Sequence, residues 1–173
     1  MLLERKIPAT TLPLHPLRLR LNGEEREFEV EAWTTLLDLL REQAALCGSK
    51  KGCDHGQCGA CTVLINDRAV LSCLSLALSH DGDEIRTVEG VGEEGRLHPL
   101  QQAFIDQDAF QCGYCTSGQI CSALALLEKG EVPGDDDTLR EKMSGNLCRC
   151  GAYPNILAAI RQADAQMNPG KTP

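Results

Sequence analysis

Ten cysteines in a chain of 173 residues constrain its fold and chemistry more than any other feature of the sequence. So high a density indicates disulfides, a metal site or a redox cluster. The N-terminal segment carries Arg5 and Lys6 without an apolar stretch behind them, so no secretory signal is apparent. A disulfide framework needs an oxidising compartment and is therefore the weaker explanation. The spacing of the cysteines has to distinguish between a metal site and a redox cluster.

The first cysteine group has four, two and eleven residues between successive members. It consists of Cys53, Cys58, Cys61 and Cys73. This is the plant-type ferredoxin spacing for a [2Fe–2S] cluster. Gly52, Gly56 and Gly59 can supply the tight bends of a loop that turns three thiolates inward, since glycine bends without a Cβ penalty. Zinc or disulfides are the alternatives for this group.

The second cysteine group combines a pair separated by two residues with a pair separated by one. It consists of Cys112, Cys115, Cys148 and Cys150. Four thiolates can bind zinc or an iron–sulfur cluster, and the residues alone leave both open. A spacing of one residue is unusual for a zinc knuckle. Helices predicted to begin after Cys115 and after Cys150 would direct their positive N-terminal ends at an anionic cluster.

Two cysteines and one glycine motif fall outside these patterns. We expect Cys47 and Cys121 to be buried structural thiols. The segment 90–95 matches the glycine spacing of dinucleotide sites, but its two glutamates would repel phosphate and no βαβ unit surrounds it. The sequence contains no defensible catalytic triad, phosphate loop or carboxylate pair, which favours electron transfer over chemistry on an organic substrate.

Hydrophobic alternation predicts a β-rich first half. Leucines alternate with arginines over 17–21, an Asn-Gly turn follows, and alternation resumes over 27–30, which is typical of a β-hairpin. Further short strands are predicted at 62–65, 69–71 and 84–88. A helix capped by Thr34 or Thr35 is expected to run to about Ala45, with Trp33 in a core or staple role. Together these elements predict a compact α+β domain.

The second half has helical spacing. Helices are predicted over 99–107 and 155–165, and after the capping boxes that begin at Thr116 and Thr138, with 133–137 as an acidic loop. Two units of helix, cysteine pair and helix would form a four-helix bundle with both pairs at one end. The predicted organisation is an arm over 1–16, a ferredoxin-type domain over 17–92, a helical cluster-binding domain over 93–168 and a tail over 169–173.

Charge and hydropathy exclude two classes of partner. Lys and Arg number 17 and Asp and Glu number 25, so the net charge is −8 and binding to nucleic acid by charge is not expected. No apolar run approaches the roughly 18 residues of a membrane helix, so no membrane insertion is expected.

Four segments carry a resemblance to a known family. They are KKGCDHGQCGACTV (50–63), TVEGV (87–91), FQCGYCTSGQI (110–120) and SGNLCRCGAYPNI (144–156). Over residues 17–166 the chain resembles the small iron–sulfur subunit of molybdenum hydroxylases, the xanthine oxidase family, and is most similar to the subunit of bacterial three-subunit aldehyde oxidoreductases. It departs from many relatives in having Ser117 for Pro and Gly151-Ala152 for Thr-Gly.

The resemblance implies a β-grasp ferredoxin domain, a helical [2Fe–2S] domain and a role for each cysteine group. The first group would hold the cluster nearer the flavin, and the second would hold the cluster nearer the molybdenum cofactor. Gln111 and Cys150 match positions that approach the pterin. A large subunit would bind molybdopterin and a medium subunit would bind FAD, giving an electron path from molybdenum through both clusters to FAD.

Alternatives stay open at this point. The substrate could be a purine, an N-heterocycle or an acyl-CoA instead of an aldehyde. A free two-cluster ferredoxin carrier and a zinc-stabilised interaction module are the other hypotheses. Periplasmic relatives carry a twin-arginine signal that this chain does not show, so a cytoplasmic location is expected, or a periplasmic one if a signal has been removed.

Overall fold

The computed structural model describes residues 12–93 and 95–170. The predicted N-terminal arm and C-terminal tail therefore lie largely outside the described residues. Where the arm was expected to continue to residue 16, the first strand already begins at Leu14. No helix of the described ranges is long and apolar enough to cross a membrane.

Five strands form one mixed sheet in the order β2-β1-β5-β3-β4. Their bounds are β1 Leu14–Leu21, β2 Glu24–Glu31, β3 Thr62–Ile65, β4 Arg68–Leu71 and β5 Glu84–Arg86. β1 pairs antiparallel with β2 and parallel with β5. Asn22 and Gly23 both have positive φ in the β1–β2 turn, at 52° and 85°, as a two-residue hairpin of this twist requires. The predicted hairpin is confirmed.

A short helical segment packs across the sheet. α1 spans Leu36–Asp38 and continues as a π-helical turn over Leu39–Gln43. Thr35 caps it, since its hydroxyl accepts a hydrogen bond from the Asp38 amide at 3.1 Å. The segment ends before Ala45, because Ala45 adopts a left-handed backbone at φ 59°. The core prediction for Trp33 is wrong, since this side chain is 53% exposed.

Within the described residues, the second half contains four helices of eight or more residues. They are α2 Pro99–Asp106, α3 Thr116–Glu128, α4 Asp136–Met143 and α5 Tyr153–Met167. Their shared core includes Phe104, Leu124 and Ile160, all buried. The α+β fold with a β-grasp half and a helical half is confirmed.

Two predicted helix starts were wrong. Cys115 rather than Thr116 is the N-cap of α3. Asp135 is the N-cap of α4, because its carboxylate accepts a hydrogen bond from the Thr138 amide at 2.8 Å. The predicted acidic loop is thus partly the first turn of α4, where carboxylates favour the positive end of the helix.

The helical half packs directly on the sheet. Leu64 of β3 belongs to the apolar cluster of the helices. Arg86 of β5 pairs with Glu128 of α3 at 2.5 Å, and both side chains are less than a third exposed. Apolar packing and a partly buried ion pair therefore hold the two halves together.

Candidate metal centres

The first cysteine group converges beside the start of β3. The Cys58 side chain lies near enough to the Cys53 thiol to affect its pKa, and the Cys61 side chain does the same for Cys73. Charge on Cys53 also acts on Cys73, so the two pairs lie close to one another. Cys61 and Cys73 are buried, whereas Cys53 and Cys58 are half-buried.

The loop that carries these thiols presents backbone N–H groups to sulfur. The Gln57 and Cys58 amides donate to Cys53 Sγ at 3.2 and 3.4 Å. A Cβ at Gly52 would lie 2.8 Å from Cys58 Sγ, so only glycine fits beside this thiol. Amides directed at sulfur stabilise an anionic cluster and its thiolates.

The thiols of this group differ in acidity. Backbone hydrogen bonds, first from His55 and then from Cys58 and Gln57, lower the pKa of Cys53 to about 6. Burial, followed by the neighbouring Cys61 thiol, raises the pKa of Cys73 to about 11. Four thiolates this close repel one another unless a cationic core lies between them. The donor set therefore fits an iron core.

The second cysteine group is brought together from two separate loops. Cys112 neighbours Cys150, and Cys115 neighbours Cys148, near enough for the second member of each pair to affect the thiol pKa of the first. The first pair is exposed, whereas Cys115 is half-buried and Cys148 is buried. The Tyr114 amide lowers the pKa of Cys112, while burial raises the pKa of Cys115 to about 12.

Helix N-termini adjoin this second site as the sequence predicted. Cys115 occupies the N-cap position of α3, directly before the first turn with its unpaired amides. α5 begins at Tyr153, and the Ala152 amide before it donates to Cys148 Sγ at 3.4 Å. Gly151 allows this turn with a φ of 76°. Both helices thus place positive dipole ends near the sulfur atoms.

Both groups are arranged as two pairs of neighbouring thiols. Pairs of thiols suit a two-iron core, in which each iron takes two protein ligands. The donor sets therefore fit a [2Fe–2S] core at both sites.

The two cysteine sites share one cleft. A cleft of about 500 Å³ is lined by Cys53 and Cys58 of the first group and by Cys112, Cys115 and Cys148 of the second. Hydrogen bonds bridge the same loops. The Leu147 amide donates to the Cys58 carbonyl at 2.9 Å. The Tyr114 hydroxyl donates to the Lys51 carbonyl at 2.8 Å.

The remaining predicted residues have different outcomes. Cys121 is buried in α3, and burial raises its thiol pKa to about 12, as a structural thiol requires. Cys47 is exposed, so the expectation of burial was wrong. The helical segment ends at Gln43, which leaves Cys47 in a surface turn. Gln111 is exposed beside Cys112, at the rim of the second site.

Sequence reasoning missed three polar residues that support these sites. The Tyr153 hydroxyl accepts a hydrogen bond from the Cys148 amide at 2.9 Å. The Tyr114 bond to the first loop depends on a contact between loops distant in sequence. Asn146, 5% exposed, donates from its side chain into the first cysteine loop. Only the position of these residues beside cysteines could have indicated a role.

Comparisons with known proteins agree with this geometry. Residues 19–89 match a family model described as a 2Fe-2S iron-sulfur cluster binding domain, and residues 87–161 match a second one described as a [2Fe-2S] binding domain. The class of protein is thus one with two [2Fe–2S] domains in tandem.

Relatives define the family further. The chain is 52% identical to the aldehyde oxidoreductase iron-sulfur-binding subunit of Escherichia coli K12, over 95% of this chain and 79% of that one. It is 49% identical to the nicotinate dehydrogenase small FeS subunit of Eubacterium barkeri, over 85% and 93%. The chain belongs to the iron–sulfur small subunits of the molybdenum hydroxylases, the xanthine oxidase family.

Solved structures agree in fold. A chain of quinoline 2-oxidoreductase from Pseudomonas putida 86 superposes with a TM-score of 0.85 and 40% identity, over 92% of this chain and 99% of that one. The aldehyde oxidoreductase of Desulfovibrio gigas gives a TM-score of 0.84 and 38% identity, over 91% of this chain but only 18% of that longer one.

Proposed function

We propose that this chain relays electrons within a molybdenum-containing aldehyde oxidoreductase. The path leads from the molybdopterin site of a large subunit through the helical-domain site, then the ferredoxin-domain site, to FAD on a medium subunit. The observation that carries the proposal is the single cleft lined by thiols of both cysteine groups, whose loops are joined by the hydrogen bond from the Leu147 amide to the Cys58 carbonyl. When bound, a [2Fe–2S] cluster supplies a one-electron carrier at each site.

The proposal assigns each thiol to a cluster. The ferredoxin-domain cluster takes Cys53, Cys58, Cys61 and Cys73 as ligands. The helical-domain cluster takes Cys112, Cys115, Cys148 and Cys150 as ligands. Within each set, the thiols that lie closest would share an iron. The protein itself directs backbone amides at the sulfur atoms and holds the two cysteine loops in a fixed position relative to each other.

Exposed apolar residues support two different partner surfaces. The rim of the helical-domain site carries four exposed large side chains, Phe110, Tyr114, Leu147 and Tyr153. The large subunit would cover this rim, with Gln111 and Cys150 nearest the molybdopterin. Leu74 is 64% exposed and lies against Gly56 of the ferredoxin loop, where the FAD-binding subunit would dock. Apolar surface of this kind typically marks an interface.

The substrate would bind on the large subunit. Aldehydes are favoured because the relative named for an aldehyde oxidoreductase is 52% identical and is matched over 95% of this chain. An N-heterocycle is the second candidate, since the subunit named for nicotinate dehydrogenase is 49% identical. Turnover of the purified complex with aldehydes, nicotinate and purines separates them, and activity on nicotinate without aldehydes would overturn the first choice.

Metal analysis and EPR of the complex test the electron-transfer role. The chain is purified with its natural partners, and iron, acid-labile sulfide, molybdenum and flavin are measured in the same peak. We expect about four irons per chain and two S = 1/2 signals after reduction with dithionite. Zinc in place of iron, one signal only, or a chain that elutes alone as a monomer would contradict the proposal. The last result would favour a free ferredoxin carrier.

A cytoplasmic location stays a prediction. Cell fractionation with an antibody to the full chain tests it, and recovery in the periplasmic fraction would contradict it.

A further inference from the structure

Asn146 lies two residues before Cys148 in the sequence but contacts the other cysteine loop. Its Nδ2 donates to the Gly59 carbonyl at 3.0 Å, and Gly59 stands between Cys58 and Cys61. Ser122 of α3 donates to its Oδ1 at 2.7 Å, which fixes the orientation of the amide. This side chain is buried and is held from the helical half while it binds the ferredoxin half.

The Gly59 carbonyl accepts hydrogen bonds from several donors. It also accepts hydrogen bonds from the Thr62 amide at 3.0 Å and from the Thr62 hydroxyl at 2.7 Å. Gly59 has a φ of 72°, and a Cβ there would lie 2.6 Å from Asn146 Nδ2. The contact is therefore close and leaves the loop little freedom to shift.

Consecutive residues of one domain thus hold consecutive carbonyls of the other. Asn146 holds the Gly59 carbonyl with its side chain, and Leu147 holds the Cys58 carbonyl with its amide. The Cys58 amide, at the other end of the same residue, donates a hydrogen bond to Cys53 Sγ at 3.4 Å. The Cys58 and Gly59 carbonyls lie in the two peptide planes that follow Cys58, so holding them restrains Cys58 from its C-terminal side and limits how far its own N–H can move from Cys53 Sγ. Hydrogen bonds to the sulfurs are among the factors that set the potential of a cluster.

We propose that Asn146 is a positioning residue for the ferredoxin-domain cluster, although its neighbour in the sequence is the helical-domain cluster. This inference rests on the proposed assignment of the cysteines to two clusters. Without the Asn146 amide, the Cys58–Gly59 segment loses a clamp that restrains the Cys58 N–H beside Cys53 Sγ. Misaligned donors stabilise the more negative, reduced form less, so the reduction potential of this one site falls.

The test uses the full chain with both clusters loaded and three variants. Asn146→Ala removes the donor, and Ser122→Ala keeps the amide but removes the bond that orients it. Asn155→Ala is the matched control, because Asn155 also donates to one backbone carbonyl in the helical half, that of Asp108 at 3.2 Å. Potentiometric titration is followed by EPR, and Cys53→Ser and Cys112→Ser assign the signals.

We expect Asn146→Ala to change the g-values of the ferredoxin-domain signal and to lower its potential, with the helical-domain signal unmoved. Ser122→Ala should give a smaller shift of the same signal in the same direction, and Asn155→Ala should shift neither. A shift of the helical-domain signal, alone or together with the other, overturns the inference, as does no shift at all.

Iron loss in a variant and the number of wild-type EPR signals are interpreted separately. If Asn146→Ala loses iron from the chain, Ser122→Ala decides by the same criteria. A wild-type chain that gives fewer than two signals refutes the proposed function itself, before any variant is compared.

Discussion

Gly118 of α3 provides a sharp test of the contact between the two halves. An alanine Cβ at this position would lie 2.1 Å from the Gly59 carbonyl oxygen and 3.0 Å from Ala60 Cα. In an unobstructed helix, Gly→Ala stabilises by about 1 kcal/mol. Here the added methyl group would overlap backbone atoms that cannot rotate away. Gly118→Ala should therefore destabilise the folded chain instead of stabilising it.

The magnitude follows from that overlap. To reach ordinary contact, the helix and the loop would have to separate by about 1 Å, and overpacking of this kind costs about 1–3 kcal/mol. After the gain in helix propensity is subtracted from the upper part of that range, we expect a net loss of about 2 kcal/mol. With a urea m-value of about 2 kcal/mol/M, the midpoint should fall by about 1 M.

Urea titration of the cluster-loaded chain, followed by helix circular dichroism and cluster absorbance, measures the shift for Gly118→Ala. Gly145→Ala is the control, since a Cβ at Gly145 meets nothing within 4 Å. Its midpoint should stay level or rise slightly. A Gly118→Ala chain with a midpoint equal to or above the wild type would refute the close approach of α3 to the ferredoxin loop.

Three other substitutions or reactions have expected outcomes. Cys112→Ser should remove the helical-domain EPR signal and leave the ferredoxin-domain signal. Cys121→Ser should leave both signals. Survival of both signals in Cys112→Ser would refute the ligand assignment. In the cluster-free folded chain, iodoacetamide should label Cys53 faster than Cys73, because the Cys53 thiol with a pKa of about 6 is largely thiolate at pH 7 and the Cys73 thiol with a pKa of about 11 is not. The rate at Cys53 should fall as the pH drops below that pKa. Cys121, buried and with a pKa of about 12, should stay unlabelled, and equal rates at Cys53 and Cys73 would contradict the assigned acidities. Arg86→Gln breaks the partly buried ion pair between β5 and α3 and should lower the thermal midpoint of the chain. Arg18→Gln should lower it less, because Arg18 and its partner Glu27 are both over two-thirds exposed. Equal effects would show that the first pair contributes no more than a surface pair.

Local signals in the sequence predicted most of the elements, and tertiary contacts account for the misses. The hairpin was predictable because alternation and the Asn-Gly turn agree. The start of α4 was not, because Asp135 and Thr138 both suit an N-cap and only the backbone geometry selects Asp135. The sequence pattern also could not place Trp33, because an aromatic residue between a strand and a helix is exposed or buried according to what packs over it.

The candidate sites divide in the same way. Cysteine spacing alone predicted both groups, since the bends of a cluster loop restrict where thiols occur. It could not predict which thiols pair, because Cys112 meets Cys150 only after α3 and α4 have folded between them. The clamp by Asn146 was equally hidden, because its acceptor belongs to the other half of the chain. These assignments stay predictions that the cysteine variants test.

The hydrogen bond from Leu147 to Cys58 bears on the order in which the protein matures. The ferredoxin-type thiols fall within one short stretch, Cys53–Cys73, so that loop can close at small entropic cost. The helical-domain thiols come from two segments separated by two helices, and their closure has to wait for those helices to dock. The Cys58 carbonyl accepts a hydrogen bond from Leu147, in the segment that leads into Cys148, so we expect the second site to be completed against a first loop that is already closed. Newly made chains should therefore acquire their ferredoxin-type cluster before the other one.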